Sequence, residues 1–382
     1  MSLRVLITGG AGFIGRHLGA HLCALGCRVT VLDSFSPQIH GDSPNTDLSA
    51  FAERTISADI CDGDAVRQAV ADQDVVVHFA AETGTGQSMY EVTRYERVNI
   101  QGTAILIEAI AAQAPRTVRR LVVASSRAIY GEGAYECLEH GRVFPASRRT
   151  AEMGRGEFEP LCPTCGAPCG WVKTAETAPS SPSSFYGLTK LVQEQMALMF
   201  AGHLNLSAYA LRYQNVYGPG QSLINPYTGI LAIFSNLARQ GKPINVFEDG
   251  KESRDFVYIA DVVDATARCV LNEDPQVISL NVGSGESTSV SDVARCISTH
   301  FRSQAPITVS GTYRLGDIRH NVADISLAAS LLGYEPKWHF DAGVKSFLEW
   351  AEQQEPVETR FEQSLTEMRD RGLLLTASAN GS

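Results

Sequence analysis

Tyr186 and Lys190 stand four residues apart in Tyr186-Gly187-Leu188-Thr189-Lys190, a spacing that puts a phenol and an ammonium on one face of a helix. An ammonium beside a phenol favours the phenolate and draws its pKa from about 10 toward the working pH, which a general base needs. Any amphipathic helix could carry such a pair on its surface. Two further features give it meaning. Ser125-Ser126 follows the apolar run 121–124, and the carboxyl end of a parallel strand delivers side chains into the ligand crevice of an open α/β sheet. There Ser126 would hold a substrate hydroxyl in line with Tyr186. In Thr8-Gly9-Gly10-Ala11-Gly12-Phe13-Ile14-Gly15, the glycines Gly9, Gly12 and Gly15 sit between a first strand and a first helix, where backbone amides can approach a pyrophosphate. Asp33 ends the second strand about twenty residues on, placed to accept both adenosine ribose hydroxyls and repel a 2′-phosphate. NAD is therefore expected over NADP. Asp59 could reach the adenine edge or could cap the next helix.

These residues need a scaffold that brings strand ends together. The runs 4–8, 28–33, 75–79, 121–124 and 206–211 read as strands, and they alternate with amphipathic stretches at 13–25, 64–70, 98–112 and 185–200. That alternation predicts an α/β fold, a Rossmann-type doubly wound parallel sheet with a smaller α/β substrate-binding lobe. The expected division is an NAD-binding part at 1–213, a substrate lobe at 214–355 with segments returning to the core, and a loosely attached helical tail at 356–382. The segment 132–177 is rich in Gly, Pro, Arg and Cys without periodicity and too long for a plain loop, so it reads as an insertion.

With 44% hydrophobic and 19% charged residues the composition is globular, and a net charge of −10 offers no basic field for nucleic acid or anionic membranes. No apolar run is long enough to span a bilayer and no leader pattern opens the chain, so a cytoplasmic protein is expected. The cysteines number nine, four of them between Cys137 and Cys169, unlike a secreted disulfide framework. Cys137-Leu138-Glu139-His140-Gly141 and Cys162-Pro163-Thr164-Cys165-Gly166 have the spacing of zinc-ribbon knuckles. Cys137, His140, Cys162 and Cys165 are candidate ligands of a structural zinc, with Cys169 a rival for the fourth place and free thiols the alternative.

Taken together, the motifs resemble the extended short-chain dehydrogenase/reductase family that modifies nucleotide sugars, typified by UDP-glucose 4-epimerase. The resemblance spans about residues 3–350 and includes, besides the glycine turn, Asp59-Ile60, His78-Phe79-Ala80-Ala81, Asn99 in Val98-Asn99-Ile100-Gln101-Gly102-Thr103, the stretch 125–131, Tyr186 to Lys190, the stretch 212–218 and Arg254-Asp255-Phe256-Val257. It implies NAD bound by Gly9, Gly12, Phe13, Ile14, Gly15, Asp33, Asp59, Ile60, Phe79, Ala80, Ala81, Asn99, Ser125, Tyr186, Lys190 and Tyr213. It also implies catalysis by Ser126, Tyr186 and Lys190, and a nucleotide-diphosphate sugar as substrate. Asn215, Arg254 and Arg319 would hold the diphosphate, a role suited to planar, permanently charged groups; ion pairing with Asp255 and Asp317 is the competing use. Thr83-Gly84-Thr85-Gly86 beside Gln87 fit a roomy sugar pocket, with Arg127 next to Ser126. A homodimer paired through the helices at 98–112 and 185–200 is implied as well.

Family members share oxidation at sugar carbon 4 and differ in the fate of the ketosugar. Sugar 4,6-dehydratases carry an Asp-Glu pair after the hydroxyl residue, and decarboxylating relatives a glutamate at the position of Arg127; Arg127-Ala128 can serve neither reaction. A 4-epimerase remains. The run 215–230 and the cysteine-bearing insertion look like the branch that includes dTDP-L-rhamnose 4-epimerase, which would yield dTDP-6-deoxy-L-talose, a building block for surface polysaccharides. UDP-hexose or UDP-glucuronate 4-epimerases, a dehydratase or ketosugar reductase, and an idle NAD-binding scaffold are the alternatives.

Overall fold

Val5, Leu6 and Ile7, and likewise Val75, Val76 and Val77, are wholly buried, as strands covered on both faces must be. In the computed structural model, which describes residues 2–41, 47–225, 227, 229–355 and 361–378, they belong to β1 (Arg4–Thr8) and β4 (Val75–His78). With β2 (Arg28–Asp33), β3 (Ala52–Ser57), β5 (Arg120–Ser126), Ser207–Tyr213 and Val277–Val282 they form a seven-stranded sheet. Every pairing in it is parallel. The spatial order is Val277–Val282, Ser207–Tyr213, β5, β4, β1, β2, β3. The order turns at β1, flanked by β2 and β4, and this switch point is where a doubly wound sheet opens a crevice. Alternate side chains of β1 feed two cores: Val5 and Ile7 pack on one face, Leu6 on the other.

The expected elements lie within a few residues of the observed ones. β3 is an edge strand with exposed Glu53, Arg54 and Thr55, and Val277–Val282 forms the opposite edge, paired with Ser207–Tyr213. The helix expected at 98–112 opens as a π-helix, Glu96–Gln101, and continues as Gly102–Ala111. The helix carrying Tyr186 and Lys190 is Phe185–Leu204; Ser184 caps it by accepting the Gly187 N–H, and Asn205 ends it in a left-handed conformation at φ 52°.

The insertion folds into a three-stranded antiparallel sheet of Tyr135–Cys137, Gly141–Val143 and Gly170–Trp171, with a second hairpin closed by the bridge between Leu161 and Pro168. The tail differs from expectation. Residues 356–360 and 379–382 lie outside the described ones, but helix Phe361–Asp370 buries Leu365 and Met368, and Leu374–Thr376 pairs antiparallel with Thr312–Arg314. A few apolar residues and one strand pairing dock it; its polar majority hid that. No helix among the described residues is long and apolar enough to cross a membrane.

Candidate active site

The glycine turn leaves no room for side chains. Gly9 has φ +69°, and a Cβ there would lie 2.7 Å from the Ala80 backbone nitrogen; one on Gly15 would lie 2.6 Å from Gly10 Cα. The turn therefore presses directly against Phe79 and Ala80, just past β4, the first helix presses on the turn, and both open onto a cavity of about 680 Å³. Gly9, Gly12, Phe13, Ile14, Gly15, Asp33, Asp59, Ile60, Phe79, Ala80, Ala81, Ser125, Ser126, Tyr186, Lys190 and Tyr213 all line it. The Asp33 carboxylate accepts the N–H groups of Ala11 at 2.9 Å and Phe35 at 2.8 Å, which fixes it at the rim. Asp59 accepts the Cys61 N–H and pairs with Arg97 at 3.0 Å; the cap of the next helix is instead Asp62. Among the residues expected to touch the cofactor, Asn99 does not line the cavity. It lies fully buried in the π-helix, its Oδ1 accepting the Glu82 N–H while its Nδ2 donates to the Glu82 carbonyl and to Thr189 Oγ1. It ties the loop after β4 to the helix of Tyr186, a positioning role.

Ser126 and Tyr186 lie where this cavity runs into a second one of about 320 Å³, the two sharing Thr83, Ser126, Tyr186, Tyr213 and Gln214 in their walls, while Lys190 lines only the first cavity. The Tyr186 N–H donates to Ser88 Oγ, which itself donates to the Thr85 carbonyl. Burial pushes the Tyr186 phenol above its ordinary pKa, opposed by its hydrogen bond to Ser126 and by the charge of Arg127. This corrects the expected downward shift by Lys190: burial outweighs the nearby charges, and Arg127 is the cation that acts on the phenol. Lys190 donates to Gln193 Oε1 at 2.8 Å, and burial pulls its ammonium down to about 7 against the opposing pull of Glu194. Glu194 also accepts from Ser125 Oγ and pairs with Arg212, so the end of β5 is locked to the same helix.

The second cavity is lined by Thr85, Arg127, Asn215 and Arg254, and by Arg314 and Asp317. Burial and the neighbouring Arg254 guanidinium pull Arg127 down to about 9. Its Nη1, Asn215 Oδ1 and both amide atoms of Gln214 are buried without hydrogen-bond partners, an arrangement that a polar ligand would complete. Two expected substrate contacts are corrected. Gln87 is buried and spends its amide on Gln38, Glu91 and Tyr95. Arg319 is wholly buried among Glu159, Glu248, Asp249 and Glu252; its guanidinium is spent on these carboxylates and it does not line the cavity. The residue that does is Arg314, which stacks 5.3 Å from the Phe247 ring centroid and donates to Asp317 Oδ2 at 2.9 Å. Two arginines five residues apart gave no local clue to which one faces inward. Asp255, the expected competitor for Arg254, is buried and accepts from Ser284, Gly285 and Ala323. Tyr227 and Phe361 complete the wall, and Glu367 from the tail accepts from Tyr90 and Tyr227. Of the run 215–230, Pro226 and Thr228 lie outside the described residues.

In the insertion, one ligand atom each from Cys137, His140, Cys162 and Cys165 lies within 4.8 Å of all the others. Cys169 is outside this quartet, its thiol turned to the Ala167 carbonyl.

A dinucleotide turn, Ser126 and Tyr186 at the junction with Lys190 one helical turn on, and three guanidinium groups beyond set the chain beside known proteins. Residues 5–149 and 164–283 match the NAD dependent epimerase/dehydratase family. The chain belongs to this family. It is an NAD-dependent enzyme of the epimerase kind, and the break in the match, 150–163, falls inside the cysteine-bearing insertion. The chain is 38% identical over 358 residues to dTDP-L-rhamnose 4-epimerase of Burkholderia thailandensis, covering 92% of this chain and 95% of that one. Its fold matches MoeE5 in complex with UDP-glucuronic acid and NAD, with a TM-score of 0.73, 28% identity and coverage of 92% and 99% of the two chains. UDP-glucose 4-epimerase of Thermotoga maritima, with UDP-glucose, gives a TM-score of 0.73, 27% identity and coverage of 92% and 99%.

Proposed function

We propose that the protein is a nucleotide-sugar 4-epimerase that interconverts dTDP-L-rhamnose and dTDP-6-deoxy-L-talose. The observation that carries the reaction type is the pair after Ser126: a half-buried arginine and an alanine, Arg127 and Ala128, on the cavity wall, where elimination of water would need an added acid and base. The relative at 38% identity supports the choice of sugar and base.

Tyr186 is the group at the junction that can take the proton of the sugar 4-hydroxyl, with Ser126 Oγ holding that hydroxyl toward it. The opposing pulls of Ser126 and Arg127 on the phenol stabilise the phenolate that results. NAD, which Gly12, Ile14, Asp33 and Lys190 along the first cavity would hold, would supply the acceptor and donor of hydride for sugar carbon 4. Turning the sugar between the two hydride transfers requires a firm hold on the diphosphate and a loose one on the ring. Arg127, Arg254 and Arg314 supply the first, and the small residues Thr83, Gly84, Thr85 and Gly86 on the cavity wall supply the second. The enzyme acts as a homodimer: Leu188 and Met199, three turns apart on the helix Phe185–Leu204, are 43% and 70% exposed and would be covered by a second copy. Met199→Glu is expected to give monomers in sedimentation.

The test is to incubate the protein with dTDP-L-rhamnose, without reductant, and follow the sugar by NMR. Inversion at carbon 4 without net NADH is the expected result. Release of an unsaturated or keto sugar, or stoichiometric use of NADH, would replace the epimerase by a lyase or reductase. Turnover of UDP-hexose or UDP-glucuronate alone would change the substrate.

A further inference from the structure

The insertion has almost no core of its own: its buried cluster is Tyr135, Val143 and three cysteines, Cys137, Cys162 and Cys169. Something else must hold two short hairpins together. Cys137 Sγ is 3.7 Å from Cys165 Sγ, and His140 Nδ1 is 3.6 Å from Cys137 Sγ and 3.8 Å from Cys162 Sγ. A disulfide would need about 2.05 Å. Tetrahedral zinc, with bonds of about 2.3 Å to sulfur and about 2.0 Å to nitrogen, sets neighbouring ligands about 3.5–3.8 Å apart. Each knuckle ends in a glycine at positive φ, Gly141 at +64° and Gly166 at +73°, which turns the chain so that both ligands of a knuckle face the same point.

We propose that Cys137, His140, Cys162 and Cys165 bind one structural zinc ion, and that this knot holds the insertion as a brace against the edge of the second cavity. All four places are filled by protein, so no site is left for substrate or water, and each ligating thiol gives up its proton on binding. The brace is a chain of ion pairs and hydrogen bonds, buried except at Glu159. Arg148, from the insertion, pairs with Glu132 at 2.9 Å and Glu248 at 2.8 Å and donates to the Asp317 carbonyl. Glu132 Oε2 accepts the Arg319 backbone N–H at 2.7 Å, and Glu159 pairs with the Arg319 side chain. The strand and turn so gripped carry Arg314 and Asp317, which face the cavity.

Metal analysis of the intact protein, purified without chelator, is expected to find one zinc per chain. Cobalt exchanged into the site is expected to show thiolate-to-metal charge-transfer absorption. Cys162→Ala should lose the metal and Cys169→Ala should keep it. On stripping the zinc, amide hydrogen exchange should quicken across 135–171 and at 314–320, Arg319 included, while the turn at 8–15 stays as it was. Absence of zinc together with absence of the cobalt bands would overturn the site, as would equal loss from both cysteine variants. Unchanged exchange at 314–320 would overturn the brace. None of these readouts depends on turnover.

Discussion

In the cofactor half of the cleft the Asp33 carboxylate is already held by two backbone N–H groups, whereas in the substrate half Arg127, Gln214 and Asn215 leave buried polar atoms without partners. In the first half the glycine turn is fitted against Phe79 and Ala80 at the switch point, and Asp33 is held at the rim before any ligand arrives. The second is assembled from segments around 127, 215, 254 and 314, with the tail supplying Phe361 to its wall. A ligand that turns over inside a cavity needs this division. The cofactor half holds its rim carboxylate in advance, whereas the substrate half leaves buried polar atoms at Arg127 and Asn215 for a polar ligand to complete.

Tyr186 sits where the halves meet, and changes there should have the largest effect. Tyr186→Phe is expected to lower kcat by about 10²–10⁴, the range for loss of a general base, with NAD still bound, as read by cofactor content after gel filtration. Full activity would take Tyr186 out of the chemistry and dissolve the comparison at its centre.

Arg314 and Arg319 sharpen it within the substrate half. Arg319→Met would leave Glu159, Glu248, Asp249 and Glu252 without their shared cation, and removing one partner from a buried ion network costs about 3–5 kcal/mol. Loss of stability in denaturant melts is the expected outcome. Arg314 is partly exposed, 31% for its side chain, so Arg314→Met should cost under about 1 kcal/mol of stability and instead raise KM for the nucleotide sugar. The opposite pattern, a KM effect at Arg319 and a folding effect at Arg314, would restore Arg319 to the diphosphate.

That pair also shows where the sequence is readable. The glycine turn, Asp33 and the Tyr186–Lys190 spacing are local patterns, each set by one strand-to-helix turn or one helical turn, and they lie together along one cavity. Arg319 and Gln87 failed because their partners come from outside the local pattern: Glu159 and Glu248 far along the chain for the one, Gln38 from an earlier segment for the other. Asn99 carried a family motif, but only the π-helix reveals that its amide points at Glu82 and Thr189. The cysteine spacing marked two knuckles, but it could not rank His140 against Cys169; in the fold His140 lies within the quartet and Cys169 outside it. The tail's docking rests on one strand pairing that a three-residue stretch cannot announce.

The last test concerns the strand beneath the cofactor half. His78 at the end of β4 is wholly enclosed, with Nδ1 against Thr8 Oγ1 at 2.7 Å and Nε2 against Thr103 Oγ1 at 3.0 Å. Burial, helped by the Lys190 charge, pulls its imidazole down to about 3. The unfolded chain therefore binds a proton at His78 between about pH 6.5 and 3 that the folded chain does not, and stability must fall as pH falls through that window. One such group contributes a slope of about 1.4 kcal/mol per pH unit. Lys190, held down to about 7 by burial, obeys the same sign in a higher window: stability rises from about pH 7 toward 10.5. Replacing the ring with a neutral amide, His78→Asn, should flatten the acid limb by about that slope in urea melts at pH 6.5, 5.5 and 4.5 while leaving the alkaline limb in place. An acid limb unchanged by the substitution would mean that His78 is not the group that titrates there.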